Sequence, residues 1–140
     1  MTDRSIETEM RLDGDILHIR VVGQVDVAEM QRMMAFGDGL AEKYGYILML
    51  ADAQHSTGIS ADARKLQSDR LKRVIYPSHT AIFGASTVVR LVSNLVQKGI
   101  ELVSGNTYPV SFHRSEAEAM ATLVAQRELL RAAKPRGQGG

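Results

Sequence analysis

The chain begins with an alternation of apolar and polar residues that is typical of a β-hairpin. Residues Ile6–Leu12 place an alternate set of mostly apolar side chains on one face, and Ile16–Val22 repeats the same period of two. Asp13 and Gly14 stand between the two runs, and this dipeptide is a strong signal for a two-residue turn. The pattern therefore predicts two antiparallel strands joined at Asp13 and Gly14.

A turn at this position also predicts which residues face one another. Met10 then lies opposite Leu17 on the apolar side of the hairpin, and Glu9 lies opposite His18 on the polar side. One register thus keeps apolar pairs on one face and polar pairs on the other. In this interpretation His18 is a cross-strand partner at the surface.

A run of six apolar residues, Tyr46–Ala51, predicts a central strand. A short apolar run between turn signals is typical of a strand buried on both faces of a parallel sheet. The polar residues Asp52–Gly58 follow as a predicted loop, and Ser60 then has the position of a helix N-cap. Because ligands usually bind at the carboxyl ends of strands in α/β sheets, this segment is the first candidate for function.

Helical spacing and capping signals predict a first helix between Asp26 and Tyr44. Asp26 and Glu29 form a capping box, and Gly45 follows as a natural C-terminal cap. A glycine inside this helix, such as Gly37, costs about 0.5–1 kcal/mol relative to alanine. We expect the close approach of another part of the chain, or of a ligand, to offset that cost.

Further helices and strands complete an alternating pattern. Helices are predicted at 60–75, 87–98 and 115–133, and strands at 80–83 and 110–113. The element order β-β-α-β-α-β-α-β-α predicts an α/β fold with a mixed five-stranded sheet, parallel apart from the first strand. The helix at 87–98 is apolar over a wide face, which indicates that it is deeply buried or shared with a partner or ligand.

Composition favours a soluble cytoplasmic protein and argues against several kinds of site. Hydrophobic residues make up 44% of the chain and charged residues 24%, and the net charge of +1 gives no case for nucleic-acid binding. There is no cysteine, no apolar run long enough to span a membrane, and no signal-peptide core in the first residues. We expect one domain over residues 1–133 and a disordered tail over 134–140.

The sequence carries no enzyme signature, so we expect no catalytic activity, metal or cofactor. Phosphate-binding, nucleophile-elbow and zinc-protease motifs are all missing. His79 and His113 are predicted at opposite ends of their strands, which would prevent them from sharing a metal. An enzyme using Asp52, His55 and His113 at the carboxyl edge is the last of the hypotheses.

The chain resembles the SpoIIAA-like fold group, which contains the STAS domains of anti-sigma factor antagonists and the CRAL-TRIO lipid-binding domains. The resemblance covers about residues 6–130 and rests on the stretches GDILHIRVVGQVD, YILMLAD, HSTGIS, TAIFGAS and VSFHRSEAEAMATL. It implies a β/α superhelix whose four helices lie mostly on one face of the sheet. It also implies a regulatory module that binds a protein partner such as an anti-sigma factor or a kinase.

The STAS resemblance implies a phosphorylation site in the polar segment. STAS antagonists carry an Asp-Ser-Ser/Thr-Gly-Leu/Ile motif, and the matching letters here are HSTGI, with His55 in place of the aspartate. Thr57 is then the phospho-acceptor and Ser56 its neighbour. The other residues of the expected partner-binding loop are Asp52, His55, Gly58 and Ser60.

The lipid-binding resemblance implies a second function, the binding of a small hydrophobic ligand. The ligand would lie between the sheet and the helix at 87–98. Its expected pocket residues are Met33, Met34, Phe83, Val88 and Leu91, which are equally suited to a simple core. A third hypothesis is a homodimer that buries the apolar face of the same helix.

Overall fold

The protein forms one mixed sheet of five strands with helices on both faces. The computed structural model describes residues 8–71, 76–91, 94–95, 98 and 109–132. The strands are β1 (Glu9–Asp13), β2 (Ile16–Val25), β3 (Ile47–Ile59), β4 (Ser78–Phe83) and β5 (Val110–His113). The helices are α1 (Val27–Tyr44), α2 (Ala61–Leu71), α3 (helical residues 87–91, 94–95 and 98) and α4 (Glu116–Ala132).

The strands lie side by side in the order in which they occur along the chain. β1 pairs with β2 antiparallel, and the pairs from β2 to β5 are all parallel. This arrangement confirms the predicted fold class. Since successive right-handed crossovers in one direction place helices on the same face, α1 and α2 lie together, whereas α4 packs against the opposite face.

Two hydrophobic clusters form the core, one on each face of the sheet. The cluster under α4 consists of Ile16, Tyr46, Leu48, Leu50, Ala81, Phe83, Ala119 and Leu123. The cluster under α1 and α2 consists of Leu17, Ile19, Val21, Val25, Met30, Leu40 and Ala63. Leu48 of β3 belongs to the first cluster and the partly buried Met49 packs against the second, as expected for a strand covered on both faces.

The hairpin forms, but its turn lies one residue later than predicted. Met10 faces Ile19, and Arg11 faces His18, so the turn residues are Gly14 and Asp15. Because the register differs from the prediction by two positions, every side chain keeps its predicted face. Tertiary contacts explain the shift of the turn, because the observed turn places Asp15 where other elements can bind its carboxylate.

The second correction concerns the predicted loop at 52–60. β3 continues through this segment to Ile59, because β2 extends to Val25 and supplies backbone partners for it. His55 lies opposite Val22, four residues beyond the predicted strand end at Ala51. The carboxyl end of the sheet is therefore built from strand, and its candidate residues are held by ladder hydrogen bonds.

The helix caps follow the sequence prediction closely. Asp26 and Glu29 form the predicted capping box of α1, and the Gly45 N–H donates to the Ala41 carbonyl at 2.8 Å at its end. A Cβ on Gly37 would lie 3.5 Å from Ile47 of β3, which explains a small residue at this helix–sheet contact. Residues 72–75 and 133–140, which hold the predicted end of α2 and the tail, lie outside the described residues.

Candidate functional site

Thr57 occupies a β-bulge at the carboxyl end of the sheet. The register between β2 and β3 steps from Gly23 opposite Ser56 to Gln24 opposite Gly58, so Thr57 is an extra residue without a partner position. Bulges of this kind redirect a side chain and often occur beside functional sites. Thr57 is exposed to solvent.

The residues beside Thr57 hold the bulge in place. The Ser56 hydroxyl accepts a hydrogen bond from the Gly58 N–H at 3.1 Å, and Ser56 itself is half-buried. Gly58 has a φ of +118°, a backbone conformation that disfavours any residue with a Cβ. The resemblance singled out two hydroxyls. That of Ser56 accepts a hydrogen bond from the backbone, whereas Thr57 is exposed to solvent.

The other residues predicted for the partner-binding loop have local structural contacts. The Ser60 hydroxyl accepts from the Ala63 N–H at 3.1 Å and so caps α2, as predicted. The Asp52 carboxylate accepts from the Gln54 N–H at 3.0 Å. His55 is exposed at the surface of β3.

Helix α2 follows directly and carries several basic side chains. Lys65 is within 3.4 Å of Asp69 on the same helix, and Arg70 forms an ion pair with Asp38 of α1. Arg64 has no side-chain partner within the described part of the chain. The basic surface closest in sequence to Thr57 is therefore the first two turns of α2.

A polar cleft of about 220 Å³ lies on the α4 face of the sheet, beside Asp52. Its walls include His18 and Arg20 of β2 and Glu116 of α4. Burial and the neighbouring Arg11 guanidinium lower the pKa of His18, against the opposing effect of Asp13 and Glu116. The buried Nε2 atom of His18 lies 3.6 Å from the nearest Asp13 oxygen, which is too long for a hydrogen bond. His18 is therefore a half-buried imidazole with a lowered pKa and not the surface partner of Glu9 that the sequence predicted.

A second cavity, about 110 Å³ in volume, lies between the sheet and helices α1 and α2. Its apolar lining is rich in methionine and consists of Met30, Met33, Met34, Ile47 and Met49. We call it the methionine cavity. The Arg70–Asp38 ion pair and Tyr76 lie in the same wall.

The structure separates the five residues predicted for the ligand pocket. Met33 and Met34 line the methionine cavity, but Phe83 is buried in the core on the opposite face of the sheet. Val88 and Leu91 of α3 are 68% and 59% exposed. The prediction of one pocket with these five residues is wrong, because side chains of β4 alternate between the faces and Phe83 points toward α4.

A chain of hydrogen bonds that the sequence did not reveal joins β4 and β5. The Ser111 hydroxyl lies 2.9 Å from Nε2 of His79 and 2.7 Å from Nε2 of His113. Burial, and then the neighbouring His113, lower the pKa of His79. The two histidines lie at opposite ends of their strands, as predicted, but both rings reach the hydroxyl of Ser111, which lies between them. The alternation in Val110–His113 does place Ser111 and His113 on one face, but His79 joins them only through the strand register.

The residues of the enzyme hypothesis do not form a cluster. Asp52 and His113 lie level with each other in the sheet, but Phe83 of β4 lies between them in the register. Their backbones are therefore about 10 Å apart. Among the described residues, no group of three or more histidine, aspartate or glutamate side chains is arranged to hold a metal ion. None of the described helices has the length and apolar character that crossing a membrane requires.

Comparisons with known proteins identify the fold but no family. No protein-family model matches the sequence, and no curated protein matches it. Two solved structures are similar over most of their length. One is an uncharacterized DUF3478-family protein with a SpoIIAA-like fold from Shewanella loihica PV-4, with a TM-score of 0.55, 16% identity, and coverage of 83% of this chain and 91% of that one.

The second similar structure is the anti-sigma factor antagonist SpoIIAA in its unphosphorylated form. Its TM-score is 0.54 at 13% identity, and the match covers 84% of this chain and 97% of that one. At such low identity the likeness concerns the fold alone. The fold that the sequence motifs implied is thereby confirmed: this chain has the SpoIIAA-like fold.

Proposed function

We propose that the protein is a non-enzymatic, STAS-like regulatory module that binds a protein partner through the surface around Thr57. Phosphorylation of Thr57 by a partner kinase controls this binding. The observation that carries the proposal is the position of Thr57, which is exposed and is the unpaired residue of a bulge in β3.

The position of Thr57 suits a phosphorylation switch for a physical reason. A phosphate at an exposed hydroxyl adds about two negative charges at neutral pH without disturbing a packed core. The bulge is held by Ser56 and Gly58, so the added charge appears on a fixed surface. Arg64, which has no side-chain partner among the described residues, and the exposed Lys65 lie on the helix that follows. A partner could therefore recognise the negative phosphate together with these positive side chains.

The proposal is tested by site-specific cross-linking in the cells that produce the protein. A photoreactive residue replaces Gln54, which is exposed on β3, and a matched one replaces the exposed Glu128 of α4. We expect a cross-linked complex of one defined mass from position 54 and none from position 128. Thr57→Glu should abolish that complex, whereas Thr57→Ser should retain it.

Phosphopeptide mass spectrometry of the chain isolated from the same cells supplies the second measurement. We expect phosphate on Thr57 and not on Ser56. A chain that cross-links equally from both positions, or a complex that Thr57→Glu leaves unchanged, would contradict the proposal.

The methionine cavity supports a second candidate function, the binding of a small apolar ligand. Apolar cavities of about 150 Å³ are known to hold molecules as small as benzene. At about 110 Å³, this cavity is smaller than an ordinary ligand pocket, so a long lipid chain fits only if α1 and α2 move apart.

Native mass spectrometry of the freshly purified protein tests this second candidate. Added mass that organic solvent removes, and that Met33→Trp prevents by filling the cavity, would support it. A bare monomer mass would argue against a bound ligand. A bare dimer mass would instead favour the hypothesis of a homodimer through the exposed stripe of α3.

A further inference from the structure

A third cleft, separate from the Thr57 surface, opens at the carboxyl ends of β4 and β5. It has a volume of about 460 Å³ and lies next to the edge of the sheet. Gly84 at the end of β4, Arg90 of α3 and Glu118 of α4 contribute to its walls, together with His113 and Arg114. We call it the arginine cleft. Its volume is in the range of cavities that bind small molecules.

The arginine cleft carries two positive charges that no described side chain pairs with. Arg90 and Arg114 are exposed, and neither guanidinium has a side-chain partner among the residues that the structure describes. Glu118 is the carboxylate in the described wall, and its Oε1 atom already accepts a hydrogen bond from the Arg114 main-chain N–H at 3.2 Å. The guanidinium groups of Arg90 and Arg114 thus lie in the wall of one cleft, and no described carboxylate forms an ion pair with either of them.

His113 connects this wall to the hydrogen-bonded chain behind it. The Ser111 hydroxyl has one hydrogen, so it can donate to only one of the two imidazoles. The other imidazole must carry its hydrogen on Nε2 and donate it to Ser111. The two rings are therefore in opposite tautomers when both are neutral.

The chain accepts one further proton without losing a hydrogen bond. If His113 is protonated, its Nε2–H donates to Ser111, and Ser111 donates to the bare Nε2 of His79. A second proton, on His79, would leave the Ser111 hydrogen without an acceptor and would place two positive charges on either side of one oxygen. Burial disfavours a charge on His79, and His113 lies in the wall of the cleft.

We infer that the arginine cleft binds the phosphate group of a small phosphorylated molecule, with Arg90 and Arg114 as its charge partners and the imidazole of His113 beside them. A phosphate dianion has three terminal oxygens, enough for both guanidinium groups and an imidazole. A carboxylate has only two oxygens and one charge, so it satisfies this wall less completely. The inference does not depend on the proposed function of Thr57.

Binding of glycerol phosphate and of sulfate, measured by NMR titration at constant ionic strength, tests the inference. We expect saturable binding with chemical-shift changes centred on residues 84–85 and 112–114. Arg90→Gln and Arg114→Gln should each weaken binding about tenfold or more, because each removes a charge-assisted contact. Arg32→Gln, at an exposed arginine of α1, is the matched control and should leave the affinity unchanged. Acetate should bind more weakly than sulfate.

The pH dependence provides a readout that non-specific charge attraction would not reproduce. Sulfate keeps its charge between pH 8 and pH 6, so any increase in its affinity over this interval reports proton uptake by the protein. The hydrogen-bonded chain of His113, Ser111 and His79 beside the cleft can take up that proton without losing a hydrogen bond.

We expect tighter sulfate binding at pH 6 than at pH 8, and no such increase in His113→Gln. Ser111→Ala removes the acceptor of the imidazolium hydrogen and should move the increase to lower pH. Affinity that does not change with pH, or binding that survives both arginine substitutions, would overturn the inference. Since Arg90 and Arg114 are exposed, their variants should fold normally, and circular dichroism checks this.

Discussion

The two ends of the sheet differ in how completely their polar groups are paired. At the amino end, the Asp15 carboxylate binds Arg127 of α4 through two hydrogen bonds of 2.7 Å and accepts a third, of 2.6 Å, from the Tyr46 hydroxyl. We call these three residues the Asp15 clasp. Burial by itself would raise the pKa of Asp15, but the hydrogen bonds from Arg127 and Tyr46 outweigh it and lower the pKa.

At the carboxyl end, comparable groups are left unpaired. Arg90 and Arg114 have no side-chain partner within the described residues, and Thr57 projects from a bulge. The charged groups of the amino end stabilise the fold, whereas those of the carboxyl end remain available for a ligand or partner. From this difference we infer that the polar groups bonded to one another at the amino end stabilise the fold. The groups without a described partner at the carboxyl end are the candidates for binding.

The largest expected effect of a substitution at these ends is at the amino end. Asp15→Asn removes the charge that three donors share and leaves Arg127 unpaired and partly buried, with 25% of its side chain exposed. We expect a loss of roughly 2–4 kcal/mol in the free energy of unfolding, measured with urea. Glu42→Gln, at an exposed carboxylate of α1, should change it by less than about 0.5 kcal/mol. If both variants changed the free energy of unfolding equally, the Asp15 clasp would have no special role in stability.

Gly84 is the exception at the carboxyl end, where a substitution should also destabilise the protein. Its φ is +76°, and a Cβ there would collide with the side chain of Gln54 on β3. We expect Gly84→Ala to cost about 1–2 kcal/mol for the left-handed backbone, and more if Gln54 does not move. Gly39→Ala is the control inside α1, where a Cβ meets nothing within 4 Å, and should stabilise the protein by about 0.5–1 kcal/mol. The same denaturation assay measures both variants.

Acid should affect stability in two separate pH intervals, one set by His79 and one by Asp15. The pKa of His79 is lowered from 6.5 in the folded protein, so its contribution to stability is complete above pH 6.5 and decreases as the pH falls below that value. The pKa of Asp15 is lowered from 3.8, so the contribution of the clasp decreases only below pH 3.8. His79→Gln should reduce the first decrease and Asp15→Asn the second, as measured by denaturation midpoints across pH. If the denaturation midpoint of both variants decreased over one and the same pH interval, this assignment would be wrong.

The smallest expected effect on stability is that of Thr57→Ala. The side chain is exposed and makes no contact that the core needs, so the free energy of unfolding should change by less than about 0.5 kcal/mol. Phosphorylation and the partner response should nevertheless be lost. A large loss of stability would show that the bulge depends on the threonine side chain.

Local patterns in the sequence were sufficient to predict the order of the elements and the caps of the helices. Hydrophobic periodicity and capping depend on neighbours a few residues away, which is why Asp26, Ser60 and Gly45 have their predicted roles. The hairpin turn was misplaced because Gly14 and Asp15 are fixed by contacts to α4 and β3, which are distant in sequence.

The candidate sites were less predictable because they depend on the register between strands. The second half of β3 is polar, so its sequence does not predict a strand. It is a strand because β2 is long enough to pair with it. In the same way, nothing in the sequence near His79 indicates that Ser111 lies beside it, 32 residues away. The phospho-acceptor hypothesis for Thr57 came from a family motif, and the structure contributes its exposure and its bulge.

The Asp15 clasp also has a consequence for the order of folding. Each strand pairs with its neighbour in sequence, so the sheet can assemble from contacts between consecutive elements. The clasp joins residues 112 positions apart and can close only after α4 has docked. We therefore expect it to form after the rate-limiting step, so that its loss accelerates unfolding far more than it slows refolding. The hairpin turn at Asp15 and helix α4 would then together slow the unfolding of the protein.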